Sequence, residues 1–93
     1  MDEQNIEIRC ITYNVRGLKD NKKRRSIFSW MKSKNADLIF LQETHCDTEK
    51  DKDTWTREWG NTCFWNLGTN RSCGTSILIS KSFSKQTKID IVE

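Results

Sequence analysis

Two short apolar runs each end in a polar side chain, Ile11-Thr12-Tyr13-Asn14 and Leu38-Ile39-Phe40-Leu41-Gln42-Glu43, and one helix-length segment, Asn21 to Lys34, separates them. A run, a helix and a second run make a βαβ unit, whose crossover is right-handed in nearly all cases and whose two strands lie parallel in one sheet. Neighbouring strands sit about 4.8 Å apart. Open α/β sheets place their ligand crevices at the carboxyl ends of their strands, so the Asn14 carboxamide and the Glu43 carboxylate are expected to converge.

The rest of the chain reads as a small number of elements. Ile6, Ile8, Ile11, Thr12 and Tyr13 are β-branched, apart from the aromatic Tyr13, and no breaker interrupts residues 6 to 13, which predicts a strand closed by Asn14. Gly17 supplies an unusual backbone angle in the following turn, and Asp20 or Asn21 can cap the helix. Along that helix Ile27, Trp30 and Met31, with or without Phe28, form an apolar stripe, leaving Lys22, Lys23, Arg24, Arg25 and Lys32 mostly toward water. Trp30 and Trp59 are expected in the core rather than as stacking platforms. The uninterrupted run of residues 37 to 42 suggests a central strand covered on both faces. Trp55 and Trp59 are four apart in a polar stretch that ends at Gly60, the pattern of a short amphipathic helix. Thr62 to Leu67 and Thr75 to Ser80 flank a Gly- and Asn-containing loop and are expected to pair antiparallel, while Ile89 to Val92 reads as the start of one more strand.

Ninety-three residues allow one small domain at most, with marginal stability. A composition of 34% hydrophobic and 31% charged residues, with four Trp and four Phe, argues against wholesale disorder. The longest apolar run, Leu38 to Leu41, is far below the roughly 18 residues needed to span a membrane, and the charged amino terminus lacks a signal-peptide stretch, so an intracellular protein is expected. Cys10, Cys46, Cys63 and Cys73 form no Cys-x-x-Cys and have one His to accompany them, a poor set for zinc; buried free thiols are the simpler reading. Residues 1 to 34 carry nine Lys or Arg against four Asp or Glu, and residues 35 to 60 carry three against seven. That polarity suits a protein meeting a polyanion on one side, although it does not identify nucleic acid by itself.

Magnesium prefers oxygen ligands and is usually held by one or two carboxylates together with substrate phosphate oxygens. Glu43 could supply that carboxylate and Asn14 the hydrogen bonds that orient metal waters or a phosphate; by position alone, Glu43 is equally an ordinary polar residue at a strand terminus. Asp47-x-Glu49-x-Asp51-Lys52-Asp53 imitates a calcium loop but has Lys52 where the sharp turn needs Gly. The run Lys22 to Arg25 reads as the charged outer face of a helix rather than a localisation signal or DNA patch.

Read as motifs, Thr12-Tyr13-Asn14-Val15-Arg16-Gly17-Leu18 and Leu41-Gln42-Glu43-Thr44-His45 resemble two signatures of the endonuclease/exonuclease/phosphatase superfamily. The likeness is to the apurinic/apyrimidinic-type endonuclease of LINE-type (non-LTR) retrotransposons, with support from Arg25-Ser26-Ile27-Phe28-Ser29-Trp30 and Gly74-Thr75-Ser76-Ile77-Leu78-Ile79. The resemblance implies an α/β fold, the amino-terminal portion of a four-layer α/β sandwich of the deoxyribonuclease I kind: a βαβ unit, a short helix and an antiparallel hairpin. It implies Glu43 and Asn14 as catalytic and metal-binding residues, Mg²⁺ (or Mn²⁺) as cofactor with no organic cofactor, DNA rather than a membrane as partner, and a nuclear location. The reaction would be phosphodiester hydrolysis by in-line attack of water, nicking DNA as in retrotransposon target-site cleavage.

The match has gaps. The resemblance also calls for an active-site Tyr, an Asp-x-Asn pair and a late Ser-Asp-His, and none of these occurs by the end of the 93 residues, which therefore read as an incomplete domain, inactive alone. His45 is not assigned the catalytic role, since that His belongs to the late motif; it is a candidate substrate contact or simply a solvent-facing or hydrogen-bonded residue. Thr44 is a candidate hydrogen-bond partner in the same turn. Arg16, Asn70 and Arg71 could reach phosphates, or could be solvated loop residues. Two other readings stay open: a noncatalytic nucleic-acid-binding module or relic in which Glu43 is incidental, and a phosphodiesterase of the same superfamily acting on a lipid or inositol phosphate.

Overall fold

A computed structural model of the chain describes residues 7–68 and 73–86. Strand β1 (Cys10–Asn14), helix α1 (Asn21–Ser33) and strand β2 (Leu38–Gln42) form the expected βαβ unit, with β1 and β2 parallel. Helix α2 (Glu49–Trp59), strands β3 (Cys63–Asn66) and β4 (Thr75–Ile79), and helix α3 (Lys81–Gln86) follow. The sheet order is β1-β2-β4-β3: β4 lies antiparallel to both β2 and β3, so β2 is central as expected. The predicted strand from Ile89 to Val92 lies outside the described residues, as do Asn70 and Arg71.

Local chemistry sets the helix boundaries. Asp20 accepts from the Lys23 backbone N–H at 2.9 Å and so caps α1. Thr48 accepts from Asp51 N at 3.1 Å at the start of α2, and Gly60 ends it at φ 81°, a left-handed angle that glycine adopts without steric cost. Because 49–59 is helical, the calcium-loop pattern has no loop to act in. Helix α3 was not foreseen; its local signal is Ser80, whose hydroxyl accepts from Phe83 N at 3.2 Å.

Both long helices lie on one face of the sheet. Phe28 and Met31 of α1 and Trp55 and Trp59 of α2 enclose Ile39, Leu41 and Leu78, and Phe28 meets Trp59 edge-on at 5.7 Å between ring centroids. On the opposite face the register sets Phe40, Ile77 and Phe64 side by side, half-buried or exposed. Among the described residues only the helix-side face is covered, and the apolar run of β2 also supplies Phe40 to the opposite row.

Two expectations about α1 also change. Arg24 is buried, 4% exposed, rather than turned to water. Its spacing of four to Phe28 and seven to Met31 puts it on the sheet-facing stripe. There its Nε and Nη2 donate to the two Glu58 oxygens at 2.9 and 3.0 Å, Nη1 donates to the Leu18 carbonyl at 2.9 Å, and Nη2 also donates to Asn21. The guanidinium lies 5.1 Å from the Trp55 ring centroid, so one side chain ties together α1, α2 and the turn that precedes α1. Trp30, by contrast, is 44% exposed, resting against Tyr13 with Lys34 Nζ 4.7 Å from its ring centroid, whereas Trp59 is buried as expected.

All four cysteines are free thiols, but the expectation of burial holds fully only for Cys46; Cys63 is half-buried, and Cys10 and Cys73 are exposed. Burial pushes the Cys46 thiol up to about 11, with the nearby Asp51 acting in the same direction. Lys19 Nζ donates to Asp47 and Asp51, and those bonds hold its pKa above the usual 10.5.

Arg24→Ala should lower stability to urea by about 2–3 kcal/mol, somewhat below the figure for a fully buried broken pair because Glu58 reaches solvent; a loss below about 1 kcal/mol would show the clamp to be ornamental. Stability should also fall as pH rises from the unfolded thiol value of 9.0 to about 11, because the unfolded chain releases the Cys46 proton first while the folded one retains it. The raised Lys19 pKa acts in the same direction at higher pH, its contribution being lost above 10.5. Cys46→Ala should flatten the fall between 9.0 and 11 in pH-dependent unfolding.

Candidate active site

The carboxyl ends of β1 and β2 lie side by side, with Asn14 opposite Gln42 in the register. Beyond Gln42 the strand's alternation stops, because Glu43 takes a left-handed backbone at φ 52°. Its carboxylate meets the Asn14 side chain: Asn14 Nδ2 donates to Glu43 Oε2, and Asn14 Oδ1 accepts from the Arg16 backbone N–H at 3.0 Å. Both residues are exposed, so the pair opens to solvent.

Arg16 and His45 also have left-handed backbones, at φ 52° and 62°. Such angles cost about 1–3 kcal/mol each for residues other than glycine and persist only where the surroundings impose them. Here a mesh of main-chain bonds does so. Gly17 N donates to Glu43 O at 2.7 Å, Leu18 N to Thr44 O at 2.9 Å, Thr44 N to Gly74 O at 3.0 Å and His45 N to Cys73 O at 2.9 Å. The loop after β1, the loop after β2 and the entry to β4 are thus stitched into one backbone platform beneath Asn14 and Glu43.

Two glycines seat side chains in that platform, a role their place in the motifs did not reveal. A Cβ on Gly17, at φ 95°, would come within 2.5 Å of His45 Nδ1, and one on Gly74, at φ 104°, within 2.6 Å of Thr44 Oγ1. The His45 ring therefore lies directly against Gly17, half-buried. Thr44 is fully buried, and its hydroxyl accepts from Cys46 N at 3.2 Å, a hydrogen bond within the turn as expected. Arg16 is exposed, and its carbonyl accepts from Lys23 Nζ at 3.0 Å, bringing a second cation to the same corner.

A hard divalent cation fits what the pair offers. Glu43 presents an exposed carboxylate, the ligand type magnesium selects, already oriented by a carboxamide. Among the described residues no group of three or more His, Cys, Asp or Glu is placed to hold a metal, so what the pair could offer a cation is one carboxylate and one amide oxygen. No helix among the described residues is long and apolar enough to cross a membrane.

Comparison with known proteins agrees with these features. The chain is 32% identical over 75 residues to the Transposon TX1 uncharacterized 149 kDa protein of Xenopus laevis, a match that covers 81% of this chain and 6% of that protein. Residues 11–93 match the Endonuclease/Exonuclease/phosphatase family, a span that takes in Asn14, Glu43 and the mesh joining their loops. The chain belongs to that family.

Proposed function

We infer that Asn14 and Glu43 form half of a Mg²⁺-dependent site for phosphodiester hydrolysis, and that the parent domain nicks DNA in the manner of retrotransposon target-site cleavage. One observation carries this reading: a carboxylate and a carboxamide from adjacent parallel strands meet in the open, over a backbone held in costly angles. Family membership and the transposon relative support a nuclease-type activity.

In this reading Glu43 holds the cation, and Mn²⁺ can replace Mg²⁺. Asn14 fixes the carboxylate's direction through Nδ2, while Oδ1, which spends one lone pair on Arg16 N, keeps the other for the cation or its water. A divalent cation held there would supply positive charge against the negative phosphate and would lower the pKa of a water bound to it. Arg16 and His45, on the loops that follow β1 and β2, contact phosphate oxygens in this reading, and Asn70 and Arg71 serve the same substrate role. The proposed partner is DNA, the proposed location the nucleus. The 93 residues form part of the catalytic domain and do not cleave alone, since they contain neither the Asp-x-Asn pair nor the late Ser-Asp-His needed to activate water.

Nicking of supercoiled plasmid in Mg²⁺ should appear only with a downstream-extended chain. In that chain Glu43→Gln should lower the rate about 100-fold or more, and Asn14→Ala by about 10- to 100-fold, the usual cost of losing a ligand-orienting partner. Nicking that survives Glu43→Gln would end the metal-site reading, and salt-sensitive DNA binding indifferent to Mg²⁺ and to Glu43→Ala would favour a noncatalytic binding module. The platform gives an independent check. Gly17→Ala should cost about 1–3 kcal/mol of stability and displace the His45 ring, read as shifted imidazole resonances; an unmoved ring would show that His45 is not seated on Gly17.

A further inference from the structure

The cations at the start of α1, expected together on its outer face, part company in the structure. Lys22 and Arg25 are exposed and Arg24 turns into the core, while Lys23 is half-buried, its ammonium donating to the Arg16 carbonyl at 3.0 Å. Among the described residues no carboxylate pairs with Lys23 Nζ. The first turn of α1 holds no acidic residue, and a cation there opposes the positive end of the helix dipole. Lys23 therefore occupies a position that helix electrostatics disfavours, and its one polar contact is with the loop that follows β1.

That contact matters through the peptide it ends on. The Arg16 carbonyl and the Gly17 N–H belong to one planar amide, and this N–H donates to the Glu43 carbonyl at 2.7 Å. A cation on the oxygen of an amide polarises it and makes its N–H a stronger donor, as hydrogen bonds in series strengthen one another. Arg16 also sends its own N–H to Asn14 Oδ1 at 3.0 Å. One residue held at φ 52° thus binds the Asn14 side chain directly and, through the next amide, the main chain of Glu43, itself at φ 52°.

We propose that Lys23 is a positioning residue for the Asn14 and Glu43 pair. Its ammonium fixes the amide between Arg16 and Gly17, and that amide holds the two loops at the separation where the carboxamide meets the carboxylate. Lys23 acts through the main chain and touches neither the phosphodiester nor the cation. Its effect on rate rests on the reading of Asn14 and Glu43 as a phosphodiester site, whereas the bonds that run from Lys23 to Glu43 form without substrate.

Lys23→Met, which keeps most of the stem and removes the charge, tests this in two settings. In the 93-residue chain without DNA or Mg²⁺, the Gly17 amide proton should move upfield and exchange with solvent about tenfold faster, the loss of one charge-assisted hydrogen bond, with the rest of the backbone spectrum unchanged. Lys23→Gln should behave in the same way, Lys23→Arg should stay close to the unaltered chain, and Lys22→Met on the exposed face should leave Gly17 as it is. In a downstream-extended chain Lys23→Met should lower kcat for plasmid nicking about tenfold while KM changes less than about twofold, and Lys23→Arg should recover most of the rate. A Gly17 amide that neither shifts nor exchanges faster in the Met and Gln variants would overturn the proposal. So would a raised KM at unchanged kcat, the mark of a residue that contacts DNA phosphate directly. Nicking that survives Glu43→Gln would overturn the reading of the site instead, whatever Gly17 does, so the two failures are told apart.

Discussion

The parallel register between β1 and β2 is the constraint from which the rest of the site follows. It sets Cys10 beside Leu38 at one end and Asn14 beside Gln42 at the other, so the residue after each strand leaves the sheet at the same level. Strand side chains alternate with a period of two, and a slip of one residue would turn Asn14 to the helix-covered face, out of reach of Glu43. The register is pinned by the helix-side rows: Ile39 and Leu41 must face Phe28, Met31 and the two tryptophans of α2, and any other alignment would expose them.

Charge and packing reinforce that alignment from outside the sheet. Arg24 joins α1 to α2 and to the Leu18 carbonyl, fixing the turn that carries Arg16 and Gly17. From the other side Lys19 reaches Asp47 and Asp51, linking that turn to the start of α2. The left-handed residues Arg16, Glu43 and His45 thus occur where two ion-paired loops and a strand entry share main-chain bonds. The costly backbone angles are thereby gathered beneath the exposed Glu43 carboxylate.

What the sequence disclosed was what has a short-range signature. The βαβ unit, the helix ending at Gly60 and the meeting of Asn14 with Glu43 all follow from periodicity, caps and strand ends. The antiparallel hairpin was equally legible, but the entry of β4 between β2 and β3 was not, because that choice depends on which face each strand must bury rather than on any local residue. Arg24 was misjudged for a related reason: a cation on a helix reads as solvated until a carboxylate from a distant helix, here Glu58, is known to lie opposite it. The same holds for Trp30, whose spacing is that of a core residue but whose position is at the edge of the sheet.

The position of β4 also governs when the chain can be finished during synthesis. The βαβ unit needs nothing after Gln42 to pair its strands, yet the turn carrying Thr44 and His45 takes its main-chain partners from Cys73 and Gly74. In a nascent polypeptide the Glu43 turn therefore lacks these partners until about thirty further residues have emerged. Loop closure over that separation is slow relative to local helix formation, so the Asn14–Glu43 corner is set after the helices beside it.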